Sequence, residues 1–215
     1  MVTNAQKRHD LIRKWFFLTL ALWAALVALG GYAGWFTRIP VVGIAPLVLA
    51  GIALPVALYY SNKPFREFIR AIDLKYLTIF HLWRIPAGLV FLYYGNLNLL
   101  PDEFVSKAAP GDILVGLLVP VVLLLRGGRL KYLVFHVFSL LDFILAVGTG
   151  ITLTVLRVPL IENLATFPVV LIPLFGVCVT GALSIMTLDR LLRVDKTRAN
   201  ASPNAVRHAS GVTAR

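Results

Sequence analysis

Long apolar runs alternate with short polar breaks along the whole chain. The runs cover Trp15–Phe36, Val41–Tyr60, Tyr76–Tyr94, Asp112–Leu125, Tyr132–Leu153 and Phe167–Leu188. Most approach the ~20 residues that a helix needs to cross the hydrocarbon core of a bilayer, and the fourth is short. The pattern predicts an all-α fold: a polytopic transmembrane bundle of six spans over residues 15–188. Residues 1–14 form a polar, basic N-terminal segment, and residues 189–215 form a tail whose last part lacks apolar periodicity and is expected to be disordered. The first run is longer than the apolar core of a signal peptide and ends in Trp35 and Phe36, so it reads as a retained helix with an aromatic belt.

The break between the second and third runs has its own periodicity. Phe65, Phe68, Ile69 and Ile72 share one helical face, while Arg66, Glu67, Arg70 and Asp73 take the other. Asn62 suits an N-cap and Pro64 a first helical turn. This predicts an amphipathic interfacial helix over residues 62–75.

Composition agrees with the pattern. Hydrophobic residues make up 59% of the 215-residue chain, charged residues only 14%, and the mean hydropathy is +0.82. Such a surface needs lipid as its solvent, which excludes a soluble domain of any size. The net charge of +11 raises nucleic acid as a partner, but the cations sit at the ends of apolar runs and no base-reading module is visible. Of 21 basic residues, 17 fall on one proposed side and 3 on the other (Arg38, Lys107 and Arg157), leaving Arg84 within a span. That bias predicts cytoplasmic N and C termini. The single cysteine, Cys178, lies in an apolar run and reads as a packing residue.

The ionisable residues inside the runs are the candidate chemistry. The third run carries His81 and Arg84, and the fifth carries His136, Ser139 and Asp142. Counting ~1.5 Å per residue from Tyr76 and Tyr132, the histidines lie ~6–8 Å deep and Arg84 and Asp142 ~12–15 Å deep. His81 and Arg84 share a helical face. His136 and Asp142 are about 120° apart around their helix, an angle that suggests a central helix. A lone charge in hydrocarbon costs at least ~2.5–3.5 kcal/mol, so Arg84 and Asp142 are expected to pair. The set points to a polar cavity on the inner side that binds a small molecule or relays protons.

Two other readings of these residues differ in class. His81 and His136 at one level would suit the axial ligands of a b-type haem in a membrane redox protein. A non-catalytic assembly or scaffold protein would use the same residues only to lock helices together. No metal cluster and no catalytic motif is present in the sequence. Asp112 follows Pro110-Gly111 and reads as the N-cap of the fourth span, with Asp102 and Glu103 as acidic neighbours on the outer side. Gly30 and Gly34 have the spacing of a helix contact face, through which a homo-oligomer is expected. Membrane lipids are the other partner.

Arg84 with Gly88, Leu100-Pro101-Asp102-Glu103-Phe104, Gly111-Asp112-Ile113-Leu114-Val115-Gly116 with Pro120, and Asp142 together resemble a pattern in small bacterial integral membrane proteins of uncharacterised activity. The resemblance implies a multi-pass protein of the bacterial inner membrane and supplies no reaction. It also implies that Asp112 and Arg84 do more than cap and pack. The expected function is that of a small carrier or ligand-binding membrane protein.

Overall fold

The computed structural model describes the backbone of residues 4–209 and the side chains of residues 10–193. The described residues are helical and contain no strand. Six helices are long and apolar enough to cross a membrane: Asp10–Tyr32, Val41–Ser61, Leu74–Asn96, Asp102–Leu124, Leu130–Val155 and Ile172–Arg193.

The first of these lies in α1 (Asn4–Tyr32), so much of the expected N-terminal segment is already helical. It stops because Gly34 takes a left-handed φ of +69°, a conformation that suits glycine. The Trp35 N–H then donates back to the Gly30 carbonyl at 2.8 Å, and the Gly34 N–H to the Gly31 carbonyl at 3.1 Å, a Schellman ending. This corrects two expectations. Trp35 and Phe36 lie beyond α1 instead of ending it. The Gly30/Gly34 contact face does not exist, because Gly34 is outside the helix and Gly30 is covered by Trp35 and Phe36 of the same chain.

The second span contains α2 (Ile44–Ser61). The amphipathic segment forms α3 (Lys63–Ala71), where the Asn62 side chain accepts from the Phe65 N–H at 3.0 Å and Phe68 and Ile69 are buried. It is shorter than expected because Asp73 caps the next helix through the Lys75 N–H. That third span is α4 (Leu74–Ile79), a 3-10 turn over Phe80–Trp83, and α5 (Arg84–Asn96). Pro86 has no N–H to offer the Leu82 carbonyl, and the chain just before it tightens into the 3-10 turn.

The fourth span, α6 (Asp102–Leu124), begins ten residues before the expected start. Pro110-Gly111 looked like a break in the sequence, yet both sit inside the helix. The real start is Pro101, with Asp102 and Glu103 in the first turn, where carboxylates suit the helix dipole. Asp112 is therefore no N-cap. It lies ~15 Å along the helix from Asp102, so the acidic residues do not cluster.

The fifth span is α7 (Leu130–Val155). The sixth starts at Ile172, later than expected, with a π-helical stretch over Ile172–Val177 that leads into α8 (Cys178–Ala209). Pro168 and Pro173 each remove a helix donor at this entrance. The expected tail begins inside α8. Asp189 is held by the hydroxyls of Tyr59 (2.9 Å) and Tyr60 (3.2 Å) and by Arg70 (3.0 Å) and Arg193 (2.7 Å). The backbone of α8 continues to Ala209, and residues 210–215 of the expected tail lie outside the described residues.

These bonds also bring the basic segments to one end of the bundle. Arg190 donates to the Ile72 carbonyl at 2.6 Å, and Phe16 of α1 packs on Phe65 and Phe68. We call this the basic end and the opposite one the far end. Each has an apolar core. The far-end core includes Val48, Phe91, Phe104 and Phe143, and the basic-end core includes Ile69, Val119, Phe135 and Met186.

Candidate functional site

Between the two apolar cores lies a set of buried polar side chains. It is assembled by close packing of α5, α6 and α7, and the glycines that permit this are specific. A Cβ on Gly88 of α5 would meet the Ala109 carbonyl oxygen and Ile113 Cγ1, each at 2.7 Å. A Cβ on Gly116 of α6 would strike Ile85, and one on Gly111 would strike the Asp142 carboxylate. Small residues let helices approach closely where lipid offers no hydrophobic drive for association. Gly88 and Gly116 bring α5 against α6, and Gly111 brings α6 against α7.

Arg84 is the centre of the result and is fully buried. Its Nε donates to Asp112 Oδ1 at 2.6 Å, its Nη2 to Asp142 Oδ2, and its Nη1 to Ser139 Oγ at 3.0 Å. The guanidinium carbon stands 3.9 Å from the centre of the Phe143 ring. Three sides of the guanidinium are thus occupied by two carboxylates and a hydroxyl, and one face by an aromatic ring. The planar fork of arginine fits this arrangement, and a lysine ammonium would not.

A chain of shorter polar groups continues from Ser139 towards the basic end. Ser139 Oγ lies 3.1 Å from His81 Nδ1, His81 Nε2 lies 3.3 Å from Ser184 Oγ, and Ser184 Oγ lies 3.4 Å from His136 Nδ1. Both histidines are fully buried, and His136 Nε2 has no hydrogen-bond partner. The 3-10 turn places His81 and Arg84 on one side, because residues three apart eclipse in that geometry.

The structure therefore brings together all five residues expected to line a site: His81, Arg84, His136, Ser139 and Asp142. The expected Arg84–Asp142 pair is present. Asp112, expected on the outer side, is the second carboxylate on Arg84. The fifth helix does not need to be central. Its residues His136, Ser139 and Asp142 fit within one buried arc, while Val134, Leu141 and Ile144 point outward.

The surroundings differ from the expected inner-side polar cavity. The five residues, joined by Ser184 and Asp112, form a packed network. A cavity of about 70 Å³ on the far-end side lies beside the network and meets it at Asp112 alone. Its wall is otherwise apolar, with Phe91, Phe104, Phe143 and Ile172, apart from Thr154. The bis-histidine arrangement does not fit a haem. The two imidazole rings are 5.3 Å apart and edge to face, Ser184 bridges them, and both His81 nitrogens are engaged by hydroxyls. No group of three or more metal-ligating side chains occurs among the described residues.

Ser184 is a further network residue, beyond the five expected from the sequence. Its signal was present: Thr180, Ser184 and Thr187 lie at i, i+4 and i+7 on one face of an apolar helix, and all three are buried.

The chain belongs to the family described as a domain of unknown function (DUF8737), which matches residues 39–192. The match covers every residue of the network and leaves α1 outside. No curated protein and no solved structure matches the chain.

Proposed function

We propose that this member of the family is a multi-pass membrane carrier or ligand-binding protein, with both termini in the cytoplasm of a bacterial cell, in which a buried network holds an exchangeable proton. The observation that carries this reading is the charge balance around Arg84. One guanidinium faces two carboxylates, so with neutral histidines the ionised set has a formal charge of −1. An uncompensated charge in a membrane interior is costly, and one proton on the carboxylate pair removes it. The surplus charge sits on the two carboxylates, so the carboxylate pair is the place for the proton. Ser139, His81, Ser184 and His136 then form a hydroxyl–imidazole path that leads from this pair towards the basic end.

Proton uptake tests the reading. Protein in lipid nanodiscs is subjected to a downward pH jump, and uptake is followed with an indicator dye. The wild type should take up about one proton more than either Asp112→Asn or Asp142→Asn, because each amide removes the surplus charge. Equal uptake by all three, with the variants folded, would mean that the network is a static lock between helices. That outcome would favour the scaffold reading.

A further inference from the structure

The cavity beside Asp112 and the surplus negative charge of the network have a joint consequence. We propose that the cavity is a binding site for a small organic monocation of the ammonium type, which competes with the network proton. The inference rests on the proton-holding network described above and adds the chemistry of its ligand.

The cavity wall decides the class. Asp112 is the one charged residue in it, and its Oδ1 is bound by Arg84. Phe91, Phe104 and Phe143 line the same space, with Phe91 and Phe104 packed edge to face at 5.1 Å. Aromatic faces and a carboxylate attract a poorly hydrated cation. The remaining wall, including Val41, Ile44 and Val147, offers no oxygen set for an inorganic ion, which needs several hard ligands. An anion would face Asp112 directly and is excluded by its sign. The volume of about 70 Å³ is room for about five water-sized groups, the heavy-atom count of a methylated ammonium.

Competition follows from the shared charge. The groups facing the Asp112–Asp142 pair are Arg84, Ser139 and, one step further, His81. Arg84 supplies one positive charge, and a second comes from either the proton or the ligand. A cation that enters beside Asp112 satisfies the pair, and the proton leaves through the hydroxyl–imidazole path. Proton and ligand are then linked reciprocally.

The test uses full-length protein in nanodiscs and tetramethylammonium, which stays charged at every pH. Binding is measured by calorimetry, and proton release is measured in weakly buffered solution. Binding should release up to one proton per protein, and its Kd should fall about tenfold per pH unit while the network is protonated. tert-Butanol, a neutral molecule of similar shape, should release none. Asp112→Asn should abolish the proton release, and Phe104→Leu, which keeps the charge, should weaken binding by several-fold. Absence of tetramethylammonium binding, or equal binding of tert-butanol, would overturn the ligand assignment. If that happens while the pH-jump difference between wild type and Asp142→Asn persists, the proton-holding network stands and only the ligand class fails.

Discussion

The first and sixth spans are nearly equal in mean hydropathy, 1.7 and 1.6, yet they have opposite surroundings. In the first, 17% of the apolar window is buried; in the sixth, 72% is. α1 presents Leu22, Leu26 and Leu29 outward and touches the rest through a few aromatic contacts, such as Trp23 on Phe175 and Tyr32 on Phe167. Grooves of about 690 and 610 Å³ flank it. The sixth span buries Thr180, Ala182, Ser184 and Thr187 among its neighbours, and Trp83 packs against Gly176. Hydropathy thus tells which segments belong in a bilayer and does not tell which of them lies at the centre. The family match, starting at residue 39, follows the same division.

Substitutions across the molecule sharpen this contrast in graded steps. The largest effect is expected at Arg84. Arg84→Ala leaves two buried carboxylates without their partner and should cost about 3–5 kcal/mol, read as a loss of thermal stability or of folded protein in the membrane fraction. Arg84→Met combined with Asp112→Asn and Asp142→Asn removes the charges together and should recover much of that loss. Next is Gly111→Ala, whose new methyl group would collide with the Asp142 carboxylate. A cost of about 1–3 kcal/mol is expected, with a smaller cost in the Asp142→Ala background. Ser184→Ala removes one bridge between the histidines and should cost only about 0.6–1 kcal/mol. Leu22→Ala on α1 should stay within about 0.5 kcal/mol, since its side chain touches little of the protein. If Leu22→Ala proved as damaging as Gly111→Ala, the division into a peripheral first helix and a packed remainder would be lost.

Much of this was legible from residues alone. The six apolar runs and the Asn62 cap are visible in the pattern, and the cost of a lone membrane charge leads to the Arg84–Asp142 pair. Asp112 was misplaced because Pro110-Gly111 carries the local signature of a helix start. Only the close approach of α7 shows why a glycine is wanted there: Asp142 fills the space where a side chain would be. The resemblance built on Arg84, Gly88 and Gly111-Asp112 did link the right residues without giving their geometry. Ser184 was passed over because one hydroxyl in an apolar helix is ordinary, and its role depends on two histidines from other helices. The Gly30/Gly34 spacing misled for the opposite reason: a Gly-x-x-x-Gly face needs both residues to be helical, and Gly34 ends the helix.

The central claim is that two carboxylates share one buried arginine and therefore one proton. Infrared spectroscopy of the protein in nanodiscs, titrated over pH, reads this directly through the carbonyl stretch of a protonated carboxyl. The account predicts a band worth a single carboxyl, which grows as pH falls, is abolished in Asp112→Asn and in Asp142→Asn, and is reduced when tetramethylammonium is added. A wild-type spectrum with no protonated carboxyl band at a pH above about 6, where exposed carboxylates are ionised, would contradict it.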